Sequence, residues 1–365
     1  LPSLKIILSG GGTGGHIFPA ISVANEIRRR VPDAEILFVG AKGRMEMEKV
    51  PQAGYAIEGL HIAGIQRRMS LANLMLPFKL LRSLWQARKI VRAFKPHVVV
   101  GTGGYASGAV LRMAAWMRVP ILIQEQNSYA GLTNRLLARS AARICVAFEG
   151  MDAFFPREKI VVTGNPVRRN AVEIDGKRDE AIAFFGLHPE RKTLLIIGGS
   201  LGARAINDAL LSQLEKFAKN SIQVVWQTGK VSFEAVSAFQ CEFIRPFQFI
   251  DRMDLAYAAA DLVISRAGAI AVTEICITGK AAILVPLPSA AEDHQTRNAE
   301  ALTAHDAALI VSNEQAQEYL VDKAISLLIS DAEREKLAKN AAALALPNAA
   351  DLIADEVLKL ARYGS

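Results

Sequence analysis

Short apolar, β-branched runs alternate with amphipathic stretches along the whole 365-residue chain. In the first half such runs lie at 5–9, 35–39, 97–102, 120–124, 143–146 and 160–163. They are too short for helices and lack the polar alternation of half-exposed strands, so they predict strands buried on both faces. Helical periodicity fills most of the gaps, beginning with 19–30. The second half opens afresh, with a strand at 193–197, a glycine-rich loop and a helix from Ala203. Strands at 222–228, 262–265 and 281–285 follow. This alternation predicts an α/β protein made of two Rossmann-like doubly wound domains with parallel sheets. Gly164-Asn165-Pro166-Val167 marks the joint, because Pro166 disfavours helix at Asn165. A last amphipathic helix is predicted at 351–362, after Pro347, and can pack on either domain.

Composition narrows the class without changing it. Hydrophobic residues make up 51% and charged residues 22%, ordinary globular values that argue against disorder. No basic-then-apolar leader precedes the first strand, so no signal peptide is expected. The long apolar stretch 269–287 is broken by Glu274 and Lys280, whereas a membrane span needs about 20 predominantly apolar residues. Cys145, Cys241 and Cys276 are scattered without metal-ligand spacing, which suits a reducing cytoplasm.

Charge changes the picture more. Residues 1–167 hold 22 Lys and Arg against 10 Asp and Glu, and residues 168–365 hold 21 against 26. The first half is thus suited to an anionic partner: nucleic acid, phosphates or an acidic membrane. Within it, Leu71, Leu74, Met75, Phe78, Leu81 and Trp85 recur at helical spacing across 66–92, flanked by Arg67, Arg68, Lys79, Arg82, Arg88, Lys89 and Arg92. A helix lying in an anionic interface has this pattern. A helix packed on the sheet explains part of the same stripe. The expectation is therefore mixed: one side in the core, with Leu74, Met75, Phe78, Lys79, Leu81 and Trp85 forming an exposed patch that Trp116 joins.

Candidate chemistry sits at strand ends. Gly10-Gly11-Gly12-Thr13-Gly14-Gly15-His16 follows the first strand, and its backbone N–H groups and helix start favour a phosphate. Gly10, Gly12 and Gly15 also fit the dinucleotide fingerprint, which keeps an NAD(P)-dependent dehydrogenase open. Against it, Gly40-Ala41-Lys42 stands where the ribose-binding acid belongs. His16, beside the loop, can take a proton from a sugar hydroxyl near neutral pH. A second loop with Gly103, Gly104, Tyr105 and Ser107 follows a neighbouring strand, so the two can line one crevice around a diphosphate. Glu125-Gln126-Asn127 opens onto the same edge. In the second half, Gly198-Gly199-Ser200, Arg168, the 266–274 segment ending in Glu274, and the cluster 293–298 compose a nucleotide-sugar pocket. No Asp-x-Asp metal clamp, P-loop ending or nucleophile elbow is present, so no metal or other cofactor is expected. Leaving-group charge then falls to Arg168 and helix N-termini.

Taken together, these residues resemble the MurG family, the UDP-GlcNAc transferases that complete the lipid-linked precursor of peptidoglycan. The motifs Gly-Gly-Thr-Gly-Gly-His (11–16), Gly-Gly-Tyr-x-Ser-Gly (103–108), Glu-Gln-Asn (125–127), Gly-Asn-Pro-Val-Arg (164–168), Gly-Gly-Ser-x-Gly-Ala (198–203) and Arg-x-Gly-Ala-x-x-x-x-Glu (266–274) occur in family order across nearly the whole chain. Ala267 stands where the family commonly has serine. The resemblance implies a GT-B fold, with 1–165 plus about 346–365 binding the acceptor and touching the membrane. It implies that 166–345 binds UDP-GlcNAc. Ser200 and Arg168 would meet the diphosphate, Ile250 the uracil through its backbone, and Glu274 the ribose. Gln295 and the backbone of Ala269, Ile270, Ala271, Val272 and Thr273 would reach the GlcNAc, with Asn127, Thr13, Gly14 and Gly15 approaching from across the cleft. Gly12 to Gly15, Gly103, Gly104, Tyr105 and Ser107 would serve the acceptor diphosphate. The implied reaction is an inverting displacement by the C4 hydroxyl of an undecaprenyl-linked muramyl sugar, with His16 or Glu125 as base. Implied partners are that lipid, an anionic membrane surface on its cytoplasmic face and cell-wall or division proteins, with no nucleic acid. A related enzyme acting on another lipid, a UDP-sugar epimerase and a non-catalytic binding module remain alternatives.

Overall fold

The computed structural model describes residues 3–62, 76–199 and 201–363, with 76–79, 291 and 362–363 described by backbone alone. The chain divides into two compact units, Leu1–Val167 with Leu346–Ser365, and Arg168–Ala345.

The first unit is built on seven parallel strands: β1 (Lys5–Gly10), β2 (Glu35–Ala41), β3 (Ala56–Leu60), β4 (Val98–Gly103), β5 (Ile121–Glu125), β6 (Arg143–Val146) and β7 (Ile160–Val162). Their order is β3-β2-β1-β4-β5-β6-β7. The strand KIILSG shows why an unbroken apolar run belongs here. Ile7 faces one core with the Leu76–Phe94 and Tyr105–Trp116 helices, while Ile6 and Leu8 face another with the Gly14–Arg30 and Ala349–Tyr363 helices. Both faces are covered, so these positions are apolar, and the buried polar side chain that follows them, Ser9, gives its hydroxyl to Val39 O at 2.8 Å. Each fully buried apolar side chain contributes roughly 1.5–3 kcal/mol. The chain leaves β1 towards β2 on one side and β4 towards β5 on the other. The helices after β1 and β4 therefore leave to opposite faces of the sheet, and a crevice opens at the carboxyl ends of these strands.

The second unit repeats the plan with β8 (Lys192–Ile197), β9 (Ile222–Gln227), β10 (Ile244–Phe247), β11 (Leu262–Ser265), β12 (Ala282–Leu284) and β13 (Leu309–Ile310). The order β10-β9-β8-β11-β12-β13 puts its reversal between β8 and β11.

The last helix, Ala349–Tyr363, returns to the first unit. Ile353, Ala354 and Val357 enter its core. Arg30 ion-pairs with Asp355 and, at 3.1 Å, with Asp351, and Arg143 lies 3.3 Å from Glu356.

Three differences from the sequence expectations have physical causes. Strands β3 and β10 carry no continuous apolar run and β13 is only two residues long, and all three are sheet edges, where one side meets solvent. The first helix begins at Gly14 rather than at residue 19, so the glycine loop is itself the first turn and Pro19 lies inside the helix. In the Leu76–Phe94 helix, Ser83, Ala87, Ile90 and Val91 are buried while Leu80, Leu81 and Trp85 are exposed. Trp116, at the end of its own helix, is 79% exposed. Leu74 and Met75 lie outside the described residues, as do the side chains of Phe78 and Lys79. Among the described residues no helix is long and apolar enough to cross a membrane.

Candidate functional site

In the first unit the two glycine loops meet. The Gly11 N–H donates to Gly103 O at 3.4 Å, and Gly104, in a left-handed conformation at φ 89°, approaches so closely that a Cβ would lie 2.5 Å from Gly11 O. Any side chain at 104 would push the loops apart. The loop is shaped from beneath by Glu46, which is fully buried. Its Oε2 accepts the Gly12 N–H at 3.1 Å and its Oε1 accepts the Ala41 N–H at 2.9 Å. Gly12 thus spends its N–H inward, and the donors left for a ligand are those at the helix start, Thr13, Gly14 and Gly15.

His16 follows on the first helical turn, half-buried, with its ring against Gly103, where a Cβ would come 2.8 Å from Nδ1. Nδ1 lies 3.1 Å from Gln126 Oε1. The Gln126 amide nitrogen donates to Thr102 O at 2.7 Å, and Thr102 Oγ1 donates to His16 O at 2.7 Å. Next to Gln126, Glu125 is buried and accepts four hydrogen bonds: from Asn127 N (3.1 Å), Asn127 Nδ2 (3.2 Å), Gly131 N (3.0 Å) and Asn134 Nδ2 (2.8 Å). A carboxylate with both oxygens so engaged fixes a loop and has no lone pair turned towards a substrate proton. Of the two residues expected from the sequence as bases, only His16 has a ring nitrogen turned away from this network.

In the second unit, Gly198, Gly199, Leu201, Arg204, Arg266 and Gln295 line an open cavity of about 710 Å³. Ser200 lies outside the described residues. Arg266 Nη1 donates to Val285 O, Pro286 O and Asn313 Oδ1 at 2.9–3.1 Å, with no carboxylate partner among the described residues, and burial lowers its pKa. The guanidinium stays protonated at neutral pH and gives the cavity a cationic wall. Gln295 Oε1 accepts the Leu287 N–H at 3.0 Å, which leaves its NH₂ group for the cavity. Gln295 follows two left-handed residues, Glu292 and Asp293, each at φ 54°.

The helix Ala269–Ile277 starts after β11. Its opening N–H groups, at Ala269, Ile270 and Ala271, have no turn above them. Val272 N already bonds Gly268 O at 3.0 Å, and Thr273 Oγ1 bonds Ala269 O at 2.9 Å. Further along, Glu274 Oε2 accepts the Tyr257 hydroxyl at 3.0 Å. Burial raises the Glu274 pKa, while the Tyr257 hydrogen bond and the nearby Arg168 charge lower it. Ile250 is buried and its N–H donates to Gln227 Oε1 at 3.0 Å, so a base could meet only its carbonyl.

Residues 6–146 match the glycosyltransferase family 28 N-terminal domain and residues 193–355 the C-terminal domain of the same family. A transferase from Flavobacterium psychrophilum is 53% identical over 98% of this chain and 97% of its own length. One from Parabacteroides distasonis is 53% identical over 98% of each. Both are named UDP-N-acetylglucosamine–N-acetylmuramyl-(pentapeptide) pyrophosphoryl-undecaprenol N-acetylglucosamine transferase. The chain belongs to the MurG family. A crystal structure of Acinetobacter baumannii MurG superposes with a TM-score of 0.77 at 31% identity, covering 98% of this chain and all of that one. The calicheamicin glycosyltransferase CalG4, at 16% identity and TM-score 0.71, shares the fold alone. The two parallel-sheet units are thus those of GT-B enzymes.

Membership of the MurG family removes the dehydrogenase alternative, and the geometry sharpens the residue list. Three expectations change. Ser107 is fully buried, with its hydroxyl packed over Gly101. Gly12 gives its N–H to Glu46. Glu125 is a loop anchor. Tyr105 is half-exposed at the crevice mouth. Glu46, Gln126 and Arg266 were missed as site residues. Arg266 was legible as the first residue of its motif, whereas Glu46 hides in the charged stretch Arg44-Met45-Glu46-Met47-Glu48.

Proposed function

We propose that the chain transfers N-acetylglucosamine from UDP-GlcNAc, with inversion, to the C4 hydroxyl of undecaprenyl-diphospho-N-acetylmuramyl-pentapeptide, converting lipid I to lipid II. The observation that carries this is the likeness, at 53% identity over nearly full length, to transferases whose names state donor and acceptor. In this proposal His16 takes the proton of the C4 hydroxyl as its oxygen attacks the anomeric carbon. The bond from that carbon to the β-phosphate oxygen breaks, and UDP departs with the electron pair. Its charge is met by the helix start at Ala269–Ala271, by Arg266 and by Arg168, without a divalent metal. Glu274 Oε1 takes the ribose hydroxyls while Tyr257 holds Oε2. The GlcNAc is held by the Gln295 NH₂ group. Incubation of folded protein with UDP-GlcNAc and the muramyl lipid tests the proposal: it expects a disaccharide-lipid product, and none would overturn it.

The same proposal includes attachment to an anionic membrane surface. Its support is the set Leu80, Leu81, Trp85 and Trp116, all at least half exposed. Charge supports it too: between Gly59 and Gln124 there are ten Lys and Arg and no Asp or Glu. Among the described residues, none of the cations from Arg82 to Arg118 forms an ion pair. A surface of this kind combines apolar insertion with attraction to acidic head groups.

A further inference from the structure

We propose that Gln126 holds His16 in the neutral tautomer that carries its proton on Nδ1, which leaves the Nε2 lone pair to receive the proton of the acceptor hydroxyl. The assignment rests on the role proposed above for His16 and adds a positioning residue to it.

The tautomer follows from a chain of amides that ends on backbone carbonyls, which cannot turn over. Asn165 Nδ2 donates to Gln126 O at 2.9 Å. Its Oδ1 therefore faces Gln124, whose Nε2 donates to it at 3.1 Å. Gln124 in turn presents Oε1 to the Gln126 amide nitrogen. That nitrogen also meets Thr102 O at 2.7 Å and Gln124 O at 3.3 Å. Turning the Gln126 amide over would set its oxygen against three other oxygens. Gln124, Gln126 and Asn165 are each no more than 1% exposed, so water cannot repair a wrong orientation. Gln126 Oε1 must then be the atom 3.1 Å from His16 Nδ1. An amide oxygen only accepts, so Nδ1 carries the hydrogen and, in the neutral ring, Nε2 carries the lone pair.

An isolated imidazole of this kind favours the opposite tautomer, with the proton on Nε2. A ring in that form offers its lone pair to the buried network and an N–H to the substrate, and it cannot take the hydroxyl proton. The amide chain thus converts a donor into an acceptor, while Gly103 leaves room for the ring and Thr102 ties down the His16 carbonyl.

The test is a long-range proton–nitrogen correlation spectrum of protein labelled with ¹⁵N-histidine, with the His16 signals assigned by loss in His16→Gln. With the ring neutral, wild-type His16 should show a protonated Nδ1 and a pyridine-type Nε2. A protonated Nε2 in the wild type overturns the proposal, and this measurement needs no variant to fold. In Gln126→Met the tautomer should shift towards Nε2–H and kcat should fall about 100-fold, with KM for UDP-GlcNAc within about twofold. An unchanged tautomer in the variant also overturns the proposal. A shifted tautomer with unchanged kcat supports the role of Gln126 and instead overturns His16 as the proton acceptor.

Discussion

Glu46 offers a direct test of how the first glycine loop is held. Its two carboxylate oxygens each accept one backbone N–H, from Gly12 and Ala41, in a fully buried position. In Glu46→Gln one of those N–H groups meets an NH₂ instead of an oxygen. The variant loses one hydrogen bond to a charged acceptor and leaves a buried donor unpaired, at a cost of about 2–4 kcal/mol. For a unit of this size the melting temperature should fall by about 5–10 °C. A second perturbation isolates the contact. A Cβ at Gly11 would collide with Glu46 Oε1. Gly11→Ala alone should therefore destabilise by about 1–3 kcal/mol through overpacking. In a Glu46→Ala background the obstacle is gone, and the double variant should be about 1–2 kcal/mol more stable than the two losses added. Thermal unfolding of the wild type, Glu46→Gln, Glu46→Ala, Gly11→Ala and the double variant measures this, and UDP affinity, which the proposal assigns to the second unit, should be unchanged throughout. Additive losses, or a Glu46→Gln protein melting within about 1 °C of wild type, would refute the reasoning.

Three further outcomes are expected. Hydrogen bonding from Arg29, offset by burial and reinforced by Arg30, lowers the Glu26 pKa from 4.5 to about 2. The stability this adds is fully present above pH 4.5 and is lost as pH falls towards 2. It amounts to at most about 3 kcal/mol, and denaturant unfolding should show Glu26→Gln losing that slope between the two values. Glu274→Ala should weaken UDP binding about 10- to 100-fold in calorimetry, with a much smaller loss for 2′,3′-dideoxy-UDP; equal losses for both nucleotides would remove the ribose contact. Trp85→Ala with Trp116→Ala should weaken flotation with phosphatidylglycerol vesicles about tenfold, without changing turnover of a water-soluble acceptor. Undiminished vesicle binding would place the membrane contact elsewhere.

Much of the fold was legible because both sheets are covered on both faces. Runs such as Ile6-Ile7-Leu8 in β1 and Leu194-Leu195-Ile196 in β8 admit only apolar side chains, and their period announces them. The edge strand β3 was not legible for the converse reason: it reads Ala56-Ile57-Glu58-Gly59-Leu60, with only Leu60 buried and two of its five positions exposed. Glycine spacing marked the loops but not what fills the space beneath them. Glu46 sits four residues beyond Lys42, in a stretch whose composition is that of a solvated turn. Only the helix Glu46–Gln52 turns it back under the loop. Gln126 was visible as part of a polar triplet, yet nothing local distinguishes it from its neighbours. Its role depends on Thr102, Gln124 and Asn165, which come from β4, β5 and the segment after β7.

The two units show how one plan supports different chemistry. Each opens a crevice where its strand order reverses, and each lines it with a glycine loop. What lies beneath and beside the loops differs. In the first unit the buried groups are carboxylates, Glu46 and Glu125, spent on N–H donors, and amides leading to one imidazole. In the second, a half-buried guanidinium with no acidic partner among the described residues faces the cavity. The proposal accordingly assigns phosphate charge to the second unit and proton transfer to the first. The same contrast explains why the first loop imitates a dinucleotide fingerprint. Gly10 is required because a Cβ would strike Thr102 Oγ1, and Gly12 because it turns at a left-handed φ of 88° to give its N–H to Glu46 Oε2. These two glycines admit the groups that anchor the loop and, through Thr102, the amide network around His16. Their spacing reports on what lies below the loop, and the ligand above it has to be argued from His16, Gln126 and the helix start instead.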